Sequence, residues 1–237
     1  MERMPLPYPP TFQVGPRAVD AATVQTLLAP LLTARRRERI AAVVARRTWS
    51  LAVVLEGFYD QGNVAAVLRS AEAIGCGAVH VIESCDGAMW SKRPTAGADR
   101  WLDVQRWPTT PPCLAALRAQ GYRLAVATLA DAVPIGAVDW SVPTALLFGS
   151  EHAGPSAAAL AAADVRCAVP MAGFVESFNV SVAAALCLYH ARADRARRLG
   201  DAPDLSAAEQ AVLVAEYFRR SVTDADATLA TLLARQG

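Results

Sequence analysis

Five short runs along the chain are almost wholly apolar: residues 51–55, 78–82, 124–127, 144–148 and 165–169. Continuous apolar character over four or five positions is the pattern of strands buried on both faces of a parallel sheet. Helical segments separate them. Asn63 can cap a helix running to Ile74 and ending at Gly75, and Pro111 and Pro112 suit the first turn of a helix ending at Gly121. A third helix is expected over 179–199, with the apolar series Val182, Leu186 and Tyr189. Strands and helices in alternation give an α/β domain.

The flanks read differently. Residues 1–48 form an Arg-rich helical extension that Pro30 interrupts, and 49–200 form the α/β domain. Residues 201–237 form a second helical extension, opened by a capping box of Ser206 and Glu209, with another helix from Asp224. No internal repeat or low-complexity tract stands out beyond alanine richness.

At 237 residues the chain is long enough for a sizeable core, and 54% of it is hydrophobic. No stretch approaches the roughly 20 uninterrupted apolar residues of a spanning helix, and the proline-bearing start lacks an apolar signal core. A cytoplasmic protein without membrane association is expected. Cys76, Cys85, Cys113, Cys167 and Cys187 are odd in number and form no C-x-x-C pair, so reduced, mostly buried thiols are expected rather than a disulfide framework or a zinc site. The formal net charge is only +1, yet residues 1–48 carry eight arginines against Glu2, Asp20 and Glu38, a net of +5. Residues 201–237 sum to −3 and the centre to −1. Any nucleic acid is therefore held by a local patch. Arg35, Arg36, Arg37, Arg39, Arg46 and Arg47 are the first candidates, and Arg192, Arg195, Arg197 and Arg198 the second. Lys92 is the only lysine, so nearly every cation is a guanidinium able to fork onto phosphate or stack on a base.

Familiar nucleotide signatures fail. Residues 149–154 have phosphate-loop glycine spacing, but Pro155 stands where the phosphate-binding lysine belongs. Gly75 and Gly77 lack the third glycine of a dinucleotide fingerprint and precede a strand. His80, His152 and His190 have no metal-ligand spacing, so no metal is expected. Three polar clusters remain, each at the C-terminal end of an expected strand, where α/β proteins place their sites. They are the segment from Glu56 to Arg69, the Gly149-Ser150-Glu151 turn, and the loop 170–181. Taken singly, Asn63 and Asn179 are ordinary helix caps and Glu151 an ordinary turn residue.

Taken together, they resemble the three motifs of the SPOUT superfamily of knotted RNA methyltransferases. The first runs from Asn63 through Arg69 to Gly75, the second from Phe148 through Glu151 to Gly154, and the third from Val169 through Gly173, Ser177 and Asn179 to Ser181. The resemblance covers roughly 35–192. The Arg-rich helix leading into the first strand and the C-terminal helices are most similar to the TrmH-type branch, which methylates the ribose 2′-oxygen of the D-loop guanosine at tRNA position 18. Where many relatives carry Pro-His just before the asparagine, this chain has Tyr59-Asp60-Gln61-Gly62.

The resemblance implies a parallel sheet whose C-terminal third is threaded into a trefoil knot, and a homodimer packed through the helix from Asn179. It implies S-adenosyl-L-methionine as methyl donor, held by Thr128, Gly149, Val169, Met171 and Phe178, and RNA, specifically tRNA rather than DNA, as partner. Arg69, Asn63, Glu151, Ser177 and Asn179 are the implied catalytic set, and Arg35, Arg36, Arg39 and Arg46 the implied RNA contacts. A ribose hydroxyl is a weak nucleophile and must be oriented and relieved of its proton. A guanidinium is a poor base, so Arg69 suits electrostatic stabilisation of a developing alkoxide better than proton removal. Two alternatives stand beside this: a ribosomal RNA 2′-O-methyltransferase of the same superfamily, and an inert RNA-binding relative.

Overall fold

The computed structural model describes residues 3–83, 97–200 and 203–235; Cys85 and Lys92 lie outside the described residues. In chain order the elements are β1 (Thr11–Val14), β2 (Arg17–Asp20), α1 (Ala21–Leu28), α2 (Ala34–Val44), β3 (Leu51–Glu56), α3 (Gln61–Ile74), β4 (Ala78–Ile82), β5 (Asp103–Trp107) and α4 (Thr110–Ala119). They continue as β6 (Arg123–Ala127), β7 (Val133–Pro134), β8 (Thr144–Phe148), α5 (Ala157–Ala162), β9 (Val165–Ala168), α6 (Val180–Leu199), α7 (Ala207–Ser221) and α8 (Ala225–Ala234). Two compact units divide the chain, one of residues 1–4 with 48–202, the other of 5–47 with 203–237.

The first unit is an α/β domain on a seven-stranded sheet of order β5-β4-β3-β8-β6-β9-β7, with every pair parallel. β3 and β8 are buried at every position, as their unbroken apolar runs require. Val53, Leu55, Leu146 and Phe148 join Val67, Leu68, Trp140 and Leu188 in one core. Asn179 caps α6 as expected, its side chain accepting from the Ser181 N–H. The first crossover helix departs from expectation. Its cap is Asp60, which accepts from the Gly62 N–H at 2.8 Å, so α3 starts at Gln61 and Asn63 lies inside the first turn. The Asn63 side chain is thereby released for another partner. Val182, Leu186 and Tyr189 form an exposed face of α6, while Ala184, Cys187, Leu188 and Ala191 face the core.

The second unit joins both chain ends. The N-terminal segment is not purely helical: β1 and β2 form an antiparallel hairpin that turns at Gly15, whose φ of +56° favours glycine. Phe12 and Val14 alternate inward from β1 and are buried with Val24, Leu28, Leu213 and Phe218. Pro30 does separate α1 from α2, through a single 3₁₀ turn. α7 opens with both bonds of the Ser206–Glu209 capping box. The segments read separately as two extensions thus fold as one unit. Among the described residues no helix is long and apolar enough to cross a membrane, and no group of three potential ligands is placed to hold a metal.

Candidate functional site

Parallel strands present their C-terminal ends on one edge, and the loops leaving β3, β6, β8 and β9 meet there. The loop after β8 is the tightest. Gly154 N–H donates to the Ser150 carbonyl at 3.0 Å, and the Ala153 N–H donates to Ser150 Oγ at 3.1 Å. A Cβ on Gly149 would sit 2.1 Å from the Pro155 nitrogen, so only glycine allows the loop to double back on itself. The turn holds Glu151 at its tip.

Glu151 is the centre of a chain of hydrogen bonds across three loops. Asn63 Nδ2 donates to Glu151 Oε1 at 2.8 Å, and Asn179 Nδ2 donates to Asn63 Oδ1 at 3.2 Å. Asn179 Oδ1 in turn accepts from the Ser181 N–H and, at 2.6 Å, from Ser181 Oγ. Among the described residues Glu151 Oε2 meets only the Tyr59 N–H, at a long 3.4 Å, so the carboxylate keeps acceptor capacity. Three residues separated by up to 116 positions therefore form one polar cluster.

Beside it lies a cavity of about 580 Å³, within the range of small-molecule sites. Thr128, Gly149, Val169, Met171 and Phe178 all line it, as do Glu151, Ser177 and Asn179. Among the described residues Glu151 is its only charged lining residue. Phosphate would find no cation there, whereas an uncharged ring system carrying a positive centre would meet apolar walls, backbone groups and one carboxylate. Cys167 and Cys187 also reach the cavity, but burial pushes their thiols up to about 11 and about 12, which makes them packing groups rather than nucleophiles. Cys113 is likewise buried, its thiol raised to about 12, and Cys76 is buried outside any disulfide.

Arg69 stands apart. It is exposed on α3, six positions beyond Asn63, and is not drawn into the Glu151 cluster within one chain. The next residue, Ser70, lines a shallow apolar groove between α3 and α6, together with Ala66 and Ala73 and with Val182, Leu186 and Tyr189. The arginine patches also divide. Arg35, Arg36, Arg39 and Arg46 are exposed on or just after α2. Arg47 is buried, its Nε donating to the Tyr217 hydroxyl, and Arg37 caps the carbonyls of Ala29 and Leu32, so neither is spare for a ligand. Three members of the second patch are engaged within the fold: Arg195 is buried on the Trp140 and Ser141 carbonyls, and Arg197 and Arg198 pair with Asp194, while Arg192 is half-buried.

One residue of the site lay in the first cluster without a role. Glu56, the buried last residue of β3, accepts from Thr110 Oγ1, from the Ser156 N–H at 2.8 Å and from Ser156 Oγ at 2.6 Å. Ser156 caps α5 and ends the Glu151 loop. A carboxylate closing an apolar run reads as the polar end of a strand, and nothing local signals a partner 100 positions away.

The SpoU rRNA methylase family model matches residues 50–189, which span all of these loops. The chain belongs to that family. A tRNA (guanosine(18)-2′-O)-methyltransferase of Thermus thermophilus is 35% identical over 190 residues, covering 79% of this chain and 98% of the relative. The crystal structure of the Aquifex aeolicus TrmH/SpoU tRNA modifying enzyme aligns with a TM-score of 0.73 at 25% identity, over 80% of this chain and 98% of that one. An AdoMet-bound rRNA methyltransferase from Sinorhizobium meliloti aligns with a TM-score of 0.55 at 27% identity, over 60% of this chain and 56% of that one.

Proposed function

We propose that this protein transfers a methyl group from S-adenosyl-L-methionine to the ribose 2′-oxygen of guanosine 18 in the D-loop of tRNA. The observation that carries the substrate is coverage: an alignment of 190 residues takes in 98% of the Thermus tRNA enzyme, whereas 56% of the Sinorhizobium rRNA enzyme is matched.

The cavity fits the donor. Its volume, its apolar walls and the lack of a cation among its described lining residues suit adenine and ribose, and Glu151 is a partner for a sulfonium. When bound, S-adenosylmethionine supplies an electrophilic methyl group to an attacking oxygen. Thr128, Gly149, Val169, Met171 and Phe178 hold its nucleoside, and the apolar walls exclude water. Asn63 fixes the Glu151 carboxylate through one oxygen, leaving the other to accept a hydrogen bond from the ribose hydroxyl and orient it. Asn179 keeps Asn63 in register, Ser177 offers a further hydroxyl, and the Arg69 guanidinium stabilises negative charge on the attacking oxygen and the neighbouring phosphate.

The finer architecture follows the same reading. The groove between α3 and α6 receives a second copy of the chain, which covers Val182, Leu186 and Tyr189 and brings Arg69 to the interface of a homodimer. The chain after β9 is threaded as a trefoil knot, consistent with β9 lying between β6 and β7 and with the 170–179 loop returning to the cavity. The exposed arginines 35, 36, 39 and 46 contact tRNA phosphates, and the enzyme works in the cytoplasm.

Incubation with labelled S-adenosylmethionine and total RNA, followed by nucleoside mapping, tests the reading. Label in 2′-O-methylguanosine of tRNA is expected. Label confined to ribosomal RNA would move the enzyme to the other branch, and failure to bind the donor at millimolar concentration would remove the activity altogether.

A further inference from the structure

A loop that presents a reacting carboxylate has to be rigid within itself and fixed to its domain, because a displacement of about 1 Å at such a group costs on the order of 10²-fold in rate. Loop 149–155 meets the first condition through its own bonds, the Ala153 and Gly154 N–H groups both turning back on Ser150. Its entry is fixed by β8, which pairs with β3 and β6 as far as Phe148. Its exit leaves the sheet, and Pro155 and Ser156 belong to no strand or helix.

Glu56 holds that exit. Leu55 is the register partner of Phe148, so Glu56 stands one position past the end of β8, beside the base of the loop. The chain turns away at Gly57, whose φ is +66° and where an added Cβ would lie 3.8 Å from Ser150 Cβ. A buried carboxylate is tolerated only where its oxygens are filled. Glu56 Oε2 accepts from the Ser156 N–H at 2.8 Å and Oε1 from Ser156 Oγ at 2.6 Å, the lengths of bonds to a charged acceptor. Oε1 also accepts from Thr110 Oγ1, at the start of α4. One carboxylate thus grips the loop through Ser156 and the body of the domain through Thr110. Glu56 is itself buried and is not among the described residues that line the cavity, so whatever it does for the site it does through the loop.

We propose that Glu56 is a positioning residue for methyl transfer. By clamping Ser156 it sets where the loop carries Glu151 and where Gly149, Gly154 and Pro155 wall the cavity. The proposal rests on the methyl-transfer reading of the site and adds to it a residue that acts through another.

The test uses the full-length protein, each variant being assayed well below its melting temperature. Ser156→Ala strips a hydroxyl from the loop side of the carboxylate and Thr110→Val strips one from the body side, and both lower the melting temperature. Ser156→Ala lowers kcat by about 10- to 100-fold and leaves KM for tRNA within about twofold. It also weakens donor binding severalfold by calorimetry and speeds hydrogen exchange at the Ala153 and Gly154 amides. Ser156→Thr, which keeps the hydroxyl, restores all of these, and Thr110→Val leaves them at wild-type values. Glu56→Ala, which leaves the Ser156 cap on α5 intact, gives the same pattern as Ser156→Ala; should it fail to fold, the Ser156 and Thr110 variants decide alone. A carboxylate that only stabilises the fold makes activity follow the melting temperature in both. Equal loss of kcat in Thr110→Val and Ser156→Ala would therefore overturn the proposal, as would wild-type kcat and exchange in Ser156→Ala. If wild type methylates no tRNA, the functional reading falls, and the exchange rates still decide whether the clamp holds the loop.

Discussion

The C-terminal end of α6 and the exposed side of α2 carry arginine runs of similar density, yet their environments assign them opposite roles. On α6, Asp194 is nearly buried and pairs with Arg197 and Arg198, accepting from them at 2.5 and 2.6 Å, while Arg195 turns inward to donate to carbonyls of the segment before β8. Arg195 thereby fastens the helix to its own domain, and Arg197 and Arg198 are neutralised within the helix itself. On α2 the nearest acid in sequence is Glu38, and Arg35, Arg36 and Arg39 stay exposed. Positive charge becomes available to a polyanion only where the fold withholds acids and carbonyls from it, and that is invisible in a count of arginines.

Replacing the α2 arginines 35, 36 and 39 with glutamine tests this contrast most severely. RNA binding should weaken and its log–log salt slope flatten by up to about three units, at roughly 0.7 to 0.9 per lost phosphate contact. A titration at several salt concentrations with an unchanged slope would make these cations as silent as those on α6. The mirror experiment is Arg195→Ala, which removes the donor from one buried and one half-buried carbonyl and should cost about 2 to 4 kcal/mol by denaturant unfolding. The salt slope of the surviving folded protein should stay at the wild-type value. Burial silences a histidine in the same unit. His80 is 1% exposed and its Nδ1 accepts from Trp107 Nε1, and burial lowers its pKa from 6.5 to about 4. The unfolded chain takes up the proton first, so this contribution to stability is complete above about pH 6.5 and is lost as pH falls toward 4. The drop should reach about 3 kcal/mol, and an NMR titration should find the His80 ring neutral until about pH 4. Protonation near 6.5 would contradict the burial. The smallest effect is expected from Arg197→Gln, whose partner Asp194 is shared with Arg198 and whose own side chain is 69% exposed: within about 1 kcal/mol, with no change in RNA affinity.

Legibility in the sequence followed burial. β3, β4 and β8 lie inside the sheet and are buried throughout, and β6 is buried along its middle, so their apolar runs announced them. β5 reads Asp-Val-Gln-Arg-Trp and sits at the sheet edge, half exposed, where polar residues hide the strand; β7, at the other edge, is only two residues long. The β1–β2 hairpin was lost among the arginines because its alternation lasts a single strand. Asn63 shows the limit within the site itself. Placed three residues after Asp60 it looks like the cap, and only the fold reveals that Asp60 takes that task and leaves Asn63 to hold Glu151. The cavity wall was legible through the family motifs, whereas the Glu56 clamp on Ser156 required the tertiary structure.

In the proposed reaction the Asn63–Glu151–Asn179 cluster presents one ribose hydroxyl of tRNA to the donor. Two otherwise identical tRNA transcripts, one with guanosine and one with 2′-deoxyguanosine at position 18, measure it directly in a labelled methyl-transfer assay. Stoichiometric labelling of the first and none of the second is expected, with equal binding of both; equal labelling of the two would put the methyl group on some atom other than that hydroxyl oxygen.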